Sequence, residues 1–165
     1  MLDYINRKFL INFFLTLIIF FLDRISKIYV ISQSEKNLFD DLYQSKFLNI
    51  SLIWNEGIAF GLLSFGKSHL YNFLTFLILI VVILIFFMIL RSEGLKKYSL
   101  LMIFGGALGN LYDRIFFKAV PDFIDFHIGN FHWFIFNVSD IFITLGVSFM
   151  IILEITDSRK ADGKI

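Results

Sequence analysis

The sequence predicts an all-α membrane protein of four transmembrane helices, with a small antiparallel β-sheet on its outer face. Three observations carry that reading. Of 165 residues, 58% are hydrophobic and 23 are Phe, with a single proline, whereas a soluble domain is nearer half apolar. Residues 70–90, LYNFLTFLILIVVILIFFMIL, run for 21 residues without a formal charge. The two longer connections between candidate spans alternate apolar and polar side chains in places, which is the period of a strand.

The elements follow in order. Arg7 and Lys8 precede FLINFFLTLIIFFL. A cleavable leader needs small residues near its cut site, and Asp23-Arg24 stands there instead, so the segment reads as an uncleaved first helix over about 9–31. The second helix, 70–90, is long enough at about 1.5 Å per residue to cross a hydrocarbon core of roughly 30 Å. The third and fourth are expected at about 97–117 and 138–157. Counted strictly between charges, the first, third and fourth shrink to 9–22, 99–112 and 141–153. Fourteen residues cover only about 21 Å, so each either carries its bordering polar residues into the membrane or stops short. The chain, 1–165, is expected to be one integral-membrane domain.

Orientation follows from Lys and Arg in the short flanks. Arg7 and Lys8, then Arg91, Lys96 and Lys97, then Arg159, Lys160 and Lys164 belong on the cytoplasmic side. Both termini are then cytoplasmic, and the outer loops span about 32–69 and 118–137. In the first, FLNISLIWNEGIAFGLL (47–63) alternates patchily before a turn signal at Asn55-Glu56-Gly57. In the second, AVPDFIDFHI (119–128) alternates Phe123, Asp125 and His127 against Asp122, Ile124 and Phe126. Two strands from two loops predict a sheet lying on the membrane surface. Pro121 suits a strand edge or start. The stretch EKNLFDDLYQSK (35–46) fits an interfacial helix as easily as a loop.

Depths can now be compared. Lys8 to Asp23, Lys97 to Asp113, and Asp157 back to Asp140 correspond to about 22, 24 and 25 Å of helix above the cytoplasmic flank. Three helices thus bring a carboxylate to one level, towards the outer surface. Asp23 and Lys27 share a helix face, as do Asn110 and Arg114, both pairs being i, i+4. Such residues at a helix end are cheap, and structural ion pairing is an alternative; helical spacing across several spans favours a site. Gly105 and Gly109 form a small-xxx-small pair that admits a neighbouring backbone. Asn137 or Ser139 would cap the last helix, leaving Asp140 in its first turn, where the helix dipole favours a carboxylate.

Composition excludes much. A net charge of +1 argues for neither nucleic acid nor a strongly acidic partner. Without cysteine there is no disulfide, thiolate nucleophile or thiolate metal site. His69, His127 and His132 are too scattered for a metal cluster to be read from spacing, and nothing around Ser64, Ser68 and His69 singles out a nucleophile. The concentrated resource is carboxylate. Two aspartates close together in a partly dry site share one proton, so one activates water while the other protonates the leaving amine. That is an aspartic peptidase mechanism, and Asp122 with Asp140 is the best pair on geometry. Asp113 adjoins Arg114 and is expected to pair locally, and Asp125 is expected to face away from Asp122.

Five motifs, LDRISK around Asp23 and Lys27, NEGIAFG (55–61), GGALGNLYDRI (105–115), VPDFIDF (120–126) and FNVSD (136–140), closely resemble the lipoprotein signal peptidases (signal peptidase II). These are bacterial membrane aspartyl proteases, hydrolases of lipoprotein processing that remove the signal peptide from diacylglyceryl-modified prolipoproteins. The likeness covers about 15–155 and implies four helices with a β-cradle on the outer face. It implies a catalytic dyad of Asp122 and Asp140, with Asp23, Lys27, Asn55, Gly57, Asn110, Arg114 and Asn137 binding substrate or supporting the dyad. It implies cutting before the lipidated cysteine at the outer interface of the bacterial cytoplasmic (inner) membrane, with no metal or organic cofactor. The expected partners are the lipid-modified prolipoprotein and membrane lipid, with no nucleic acid, and the expected state is a monomer. Ser139 and Pro121 depart from the family's usual Ala and branched apolar residue, which touches fine positioning only. The rival readings are a small four-helix transporter, which would need polar residues through the full membrane depth, and a non-catalytic lipid-binding subunit.

Overall fold

The computed structural model describes residues 2–36, 41–57 and 68–161. Its elements are α1 (Leu2–Lys36), β1 (Asp41–Gln44), β2 (Leu48–Asn55), α2 (Ser68–Arg91), α3 (Gly94–Phe116), β3 (Val120–Ile128), β4 (Phe131–Phe136) and α4 (Val138–Ala161). The part of NEGIAFG beyond Gly57, Ser64 and residues 37–40 lie outside the described residues.

Three helices, α1, α2 and α4, are long and apolar enough to cross a membrane. Their large side chains point outward: Phe13, Phe14, Ile18 and Phe21 on α1, Leu84, Phe87 and Leu90 on α2, and Ile151, Ile152 and Ile155 on α4 are all exposed. A continuous apolar shell of this extent is a lipid-facing surface. The fourth helix, α3, is not apolar enough by the same measure, because Lys96, Lys97, Asn110, Asp113 and Arg114 interrupt it. It packs against α1, α2 and α4 alike. The helix without a long apolar window is therefore the one that touches all three of the others.

Small residues make that packing possible. A Cβ on Gly105 would stand 2.9 Å from Ile19 of α1, and one on Gly106 2.5 Å from the Ser139 carbonyl oxygen of α4. Below them Ile89, Leu100 and Leu101 form a buried apolar core, joined by Leu15, Ile85, Phe104 and Met150.

The four strands form one antiparallel sheet in the order β1-β2-β3-β4. β2 and β3 are neighbours although α2 and α3 separate them in sequence, so both long connections contribute, as expected. The sheet is larger than expected. β1 occupies part of 35–46, where the sequence left helix or loop open, and α1 runs on to Lys36 because VISQSEK holds no Gly or Pro to stop it. β4 is FHWFIF, an apolar run with little alternation to mark it as a strand. Gly129 opens the β3–β4 turn at φ +59°, a conformation glycine takes without steric cost. Pro121 is the second residue of β3; it pairs with Trp54 of β2, and the β4 pairing starts only at Ile124. Its missing N–H falls where the strand has one neighbour.

Candidate active site

The start of α4 is built by a reciprocal cap. Asn137 precedes the helix, and its Oδ1 accepts from the Asp140 backbone N–H at 3.2 Å. Asp140, three residues on, returns the bond: its Oδ2 accepts from the Asn137 backbone N–H at 3.2 Å. This is the capping-box arrangement with Asn and Asp in the two roles, and it fixes the Asp140 side chain against the helix end. Asn137, rather than Ser139, is the cap.

The amide of Asn137 has a donor to spare. Its Nδ2 donates to Asp122 Oδ1 at 2.6 Å, while Asn55 Nδ2 donates to Asp122 Oδ2 at 2.9 Å. Asp122 comes from β3 and Asn55 is the last residue of β2. Gly57 in turn donates its N–H to Asn55 Oδ1 at 3.1 Å, holding that amide in place. Both carboxyl groups thus hang on Asn137. Burial pushes the Asp122 carboxyl up to about 6, the amides of Asn55 and Asn137 offset part of the rise, and the nearby Asp140 carboxyl adds to it.

Beneath lies an ionic tier. Lys27 Nζ has three acceptors, Asp113 Oδ2 at 2.7 Å, Asn110 Oδ1 at 2.9 Å and Asp23 Oδ1 at 3.0 Å, matching the three protons of an ammonium. Arg24 reaches Asp113 through Nη1 at 2.6 Å and Asp23 through Nη2 at 2.9 Å. Two cations therefore meet two carboxylates. Asp23, Lys27 and Asp113 are each 0% exposed and Arg24 8%, so this tier is buried. Asn110 couples it to the tier above, donating Nδ2 to Asp140 Oδ1 at 2.7 Å. The Ser139 backbone N–H, in the first turn of α4, donates to Asp23 Oδ1 at 3.0 Å.

The three carboxylates that helix rise set at one level are linked through shared partners, Asp23 and Asp113 through Lys27 and Arg24, and Asp140 through Asn110. Two details differ. Asp113 does not pair with Arg114; neighbouring residues on a helix point about 100° apart, and Asp113 turns to Arg24 and Lys27 on α1. Arg24 is a member of the tier that the sequence reading passed over, although its place beside Asp23 and three residues before Lys27 was available as a signal. Arg114 Nη1 donates only to the Asn110 carbonyl at 3.5 Å, and its Nε is buried without a partner among the described residues. Asp125 stands apart from Asp122, with His132 and Asn49 as its partners.

What fold and site define together is a helical membrane protein with two carboxyl groups held above a buried ionic tier. A family model for signal peptidase (SPase) II matches residues 15–156. The chain is similar to the lipoprotein signal peptidase of Pelagibacter ubique (47% identical over 154 residues, 93% of each chain). It is also similar to that of Francisella tularensis subsp. novicida (40% identical over 121 residues, 71% of this chain and 75% of the relative). Two solved structures of bacterial membrane enzymes share the fold, with TM-scores of 0.71 and 0.74 at 30% and 28% identity. They cover 90% and 88% of this chain, and 90% and 93% of their own. The chain belongs to the signal peptidase II family, a family of membrane proteases.

Proposed function

We propose that this protein is an aspartic endopeptidase that removes the signal peptide from diacylglyceryl-modified prolipoproteins, cutting before the lipidated cysteine. The observation that carries the reading is that Asp122 and Asp140 both bond to Asn137. They are the two acids of the layer outside the buried tier, and Asp140 is only partly buried. In the reaction one carboxylate takes a proton from water as its oxygen adds to the scissile carbonyl carbon. The other, protonated, neutralises the resulting oxyanion. The C–N bond then breaks, and the amine leaves with a proton returned by the dyad.

Asn55, Gly57, Asn110 and Asn137 support the dyad, and Asp23 and Lys27 form the charged floor beneath it. Arg114 holds a peptide carbonyl of the substrate in this reading, which its Nε, without a partner among the described residues, supports. In this reading α3 is the fourth span, screened from lipid by the other three. The whole chain, 1–165, is one peptidase domain, a monomer of the bacterial cytoplasmic membrane with both termini in the cytoplasm. The dyad faces the outer interface, where the acyl chains of the substrate remain in lipid.

The test is cleavage of a lipidated prolipoprotein by purified protein carrying Asp122→Asn or Asp140→Asn. Each variant is expected to stay folded and lose turnover by at least a thousandfold. Wild-type-like cutting by either one overturns the assignment.

A further inference from the structure

Three side chains on the β3–β4 hairpin play no part in the chemistry above. Asp125 and His127 lie two residues apart on β3, with a bulge between them, and His132 of β4 is the register partner of His127. The histidines are five apart in sequence, and the turn at Gly129 folds them opposite each other, their rings stacked at 5.1 Å. Carboxylate oxygen and ring nitrogens of the three residues lie within 4.8 Å of one another.

Their hydrogen bonding is incomplete. His132 Nδ1 is 2.8 Å from Asp125 Oδ2, but Asp125 Oδ1 and His127 Nδ1 are buried with no partner among the described residues. Asp125 is only 4% exposed. A buried carboxylate oxygen and a buried imidazole nitrogen left unmatched are each costly. One cation answers both.

We propose that Asp125, His127 and His132 bind a divalent transition-metal ion, with zinc the best match. Two imidazoles and one carboxylate are the ligand types that borderline-soft cations select, and hard cations such as magnesium do not favour imidazole. Ligands around tetrahedral zinc stand about 3.4 Å apart for bonds of roughly 2.0–2.1 Å, so small side-chain rotations close the set. Exposed His132 supplies the entry path. Asn49 on β2 donates Nδ2 to Asp125 Oδ2 at 3.4 Å, the outer-shell contact that orients a metal-binding carboxylate. The ion staples β4 to β3, the strand that also carries Asp122. This proposal goes beyond the cleavage reading and stands or falls separately from it.

The experiment uses the untagged full-length protein in detergent, stripped with a chelator and titrated with zinc. One equivalent is expected to bind saturably, and cobalt in its place is expected to give the visible absorption of a tetrahedral site. Asp125→Asn, His127→Ala and His132→Ala should each weaken zinc binding at least tenfold, while His69→Ala leaves it unchanged. Absence of stoichiometric uptake by the wild-type chain overturns the proposal, leaving the Asp125–His132 contact a plain hydrogen-bonded clasp. Uptake that survives in the double variant His127→Ala/His132→Ala overturns it equally. The wild-type titration and cobalt spectrum decide the matter even where a variant fails to fold.

Discussion

Asn137 donates its side-chain amide to Asp122 at 2.6 Å, and the same side chain caps the helix that carries Asp140. One residue therefore sets the position of one acid through its amide nitrogen and of the other through its amide oxygen. Strand β3 and helix α4 are thereby tied together through one side chain that bonds to a carboxyl group of each.

The two duties of Asn137 are separable. Serine caps a helix about as well as asparagine but is too short to reach Asp122 as well. Asn137→Ser is expected to keep thermal stability within about 1 kcal/mol of wild type while cleavage falls at least tenfold. Asn137→Ala loses the cap too, a further cost of about 1 kcal/mol, read as a lower Tm in detergent. Full cleavage activity in Asn137→Ser would show that the amide contact to Asp122 is idle.

Asp122 also predicts a pH dependence. Its folded value of about 6 lies above the roughly 3.9 of an unfolded aspartate. Between those values the folded chain holds more proton than the unfolded one, so this group's contribution to stability falls as pH rises from about 4 to about 6. Asp122→Asn should remove that slope, as measured by unfolding at a series of pH values. In the wild type, kcat/KM should show its alkaline limb near pH 6, where the dyad loses the second of its protons. Asn137→Ser removes a donor that stabilises the ionised form, so the limb should move to higher pH. A limb that stays put would detach it from Asp122.

The two ends of the bundle make a controlled comparison of ion pairs. Lys27 is fully buried between Asp23 and Asp113, whereas Lys96 pairs with Glu154 and Asp157 at an exposed surface. Breaking a buried network leaves its carboxylates uncompensated, at about 3–5 kcal/mol; exposed pairs contribute little. Lys27→Met should therefore lower Tm steeply or prevent accumulation of folded protein, and Lys96→Met should leave Tm close to wild type. Equal effects from the two changes would contradict the buried tier.

Much of this layout was legible in the chain before any coordinates. Helix rise alone placed Asp23, Asp113 and Asp140 at one level, because distance along a helix depends only on residue count. Beyond the i, i+4 pair of Asp23 and Lys27, which acid meets which cation was not legible. That depends on how each helix is rotated about its axis, and the apolar residues of α1 show almost no net helical periodicity from which to read the rotation. Hence Asp113 was paired with its neighbour Arg114, and Arg24 was overlooked. β4 stayed hidden for a related reason, since FHWFIF is apolar nearly throughout. The meeting of His127 and His132 depends on a register that only the folded hairpin defines. The family motifs suggested the proposed dyad and its supporting residues together, and in the structure Asn137 bonds to both of those acids.

The contact between α3 and α4 yields a last pair of expectations with opposite signs. A Cβ on Gly106 would sit 2.5 Å from the Ser139 carbonyl oxygen and 2.9 Å from Ile143. Backbone cannot yield there without moving the start of α4, and Asp140 with it. Gly106→Ala should thus cost about 1–3 kcal/mol, as overpacking typically does, and depress cleavage beyond what its Tm explains. Ser139 is fully buried and its Oγ has no partner among the described residues. Removing that hydroxyl relieves an unmet desolvation cost, so Ser139→Ala should raise stability by about 1 kcal/mol while its backbone N–H still donates to Asp23. Melting curves of the two variants, run beside cleavage assays, check both signs. Destabilisation by Ser139→Ala would mean the hydroxyl has a partner after all, and full activity in Gly106→Ala would mean the dyad tolerates a shift of its helix.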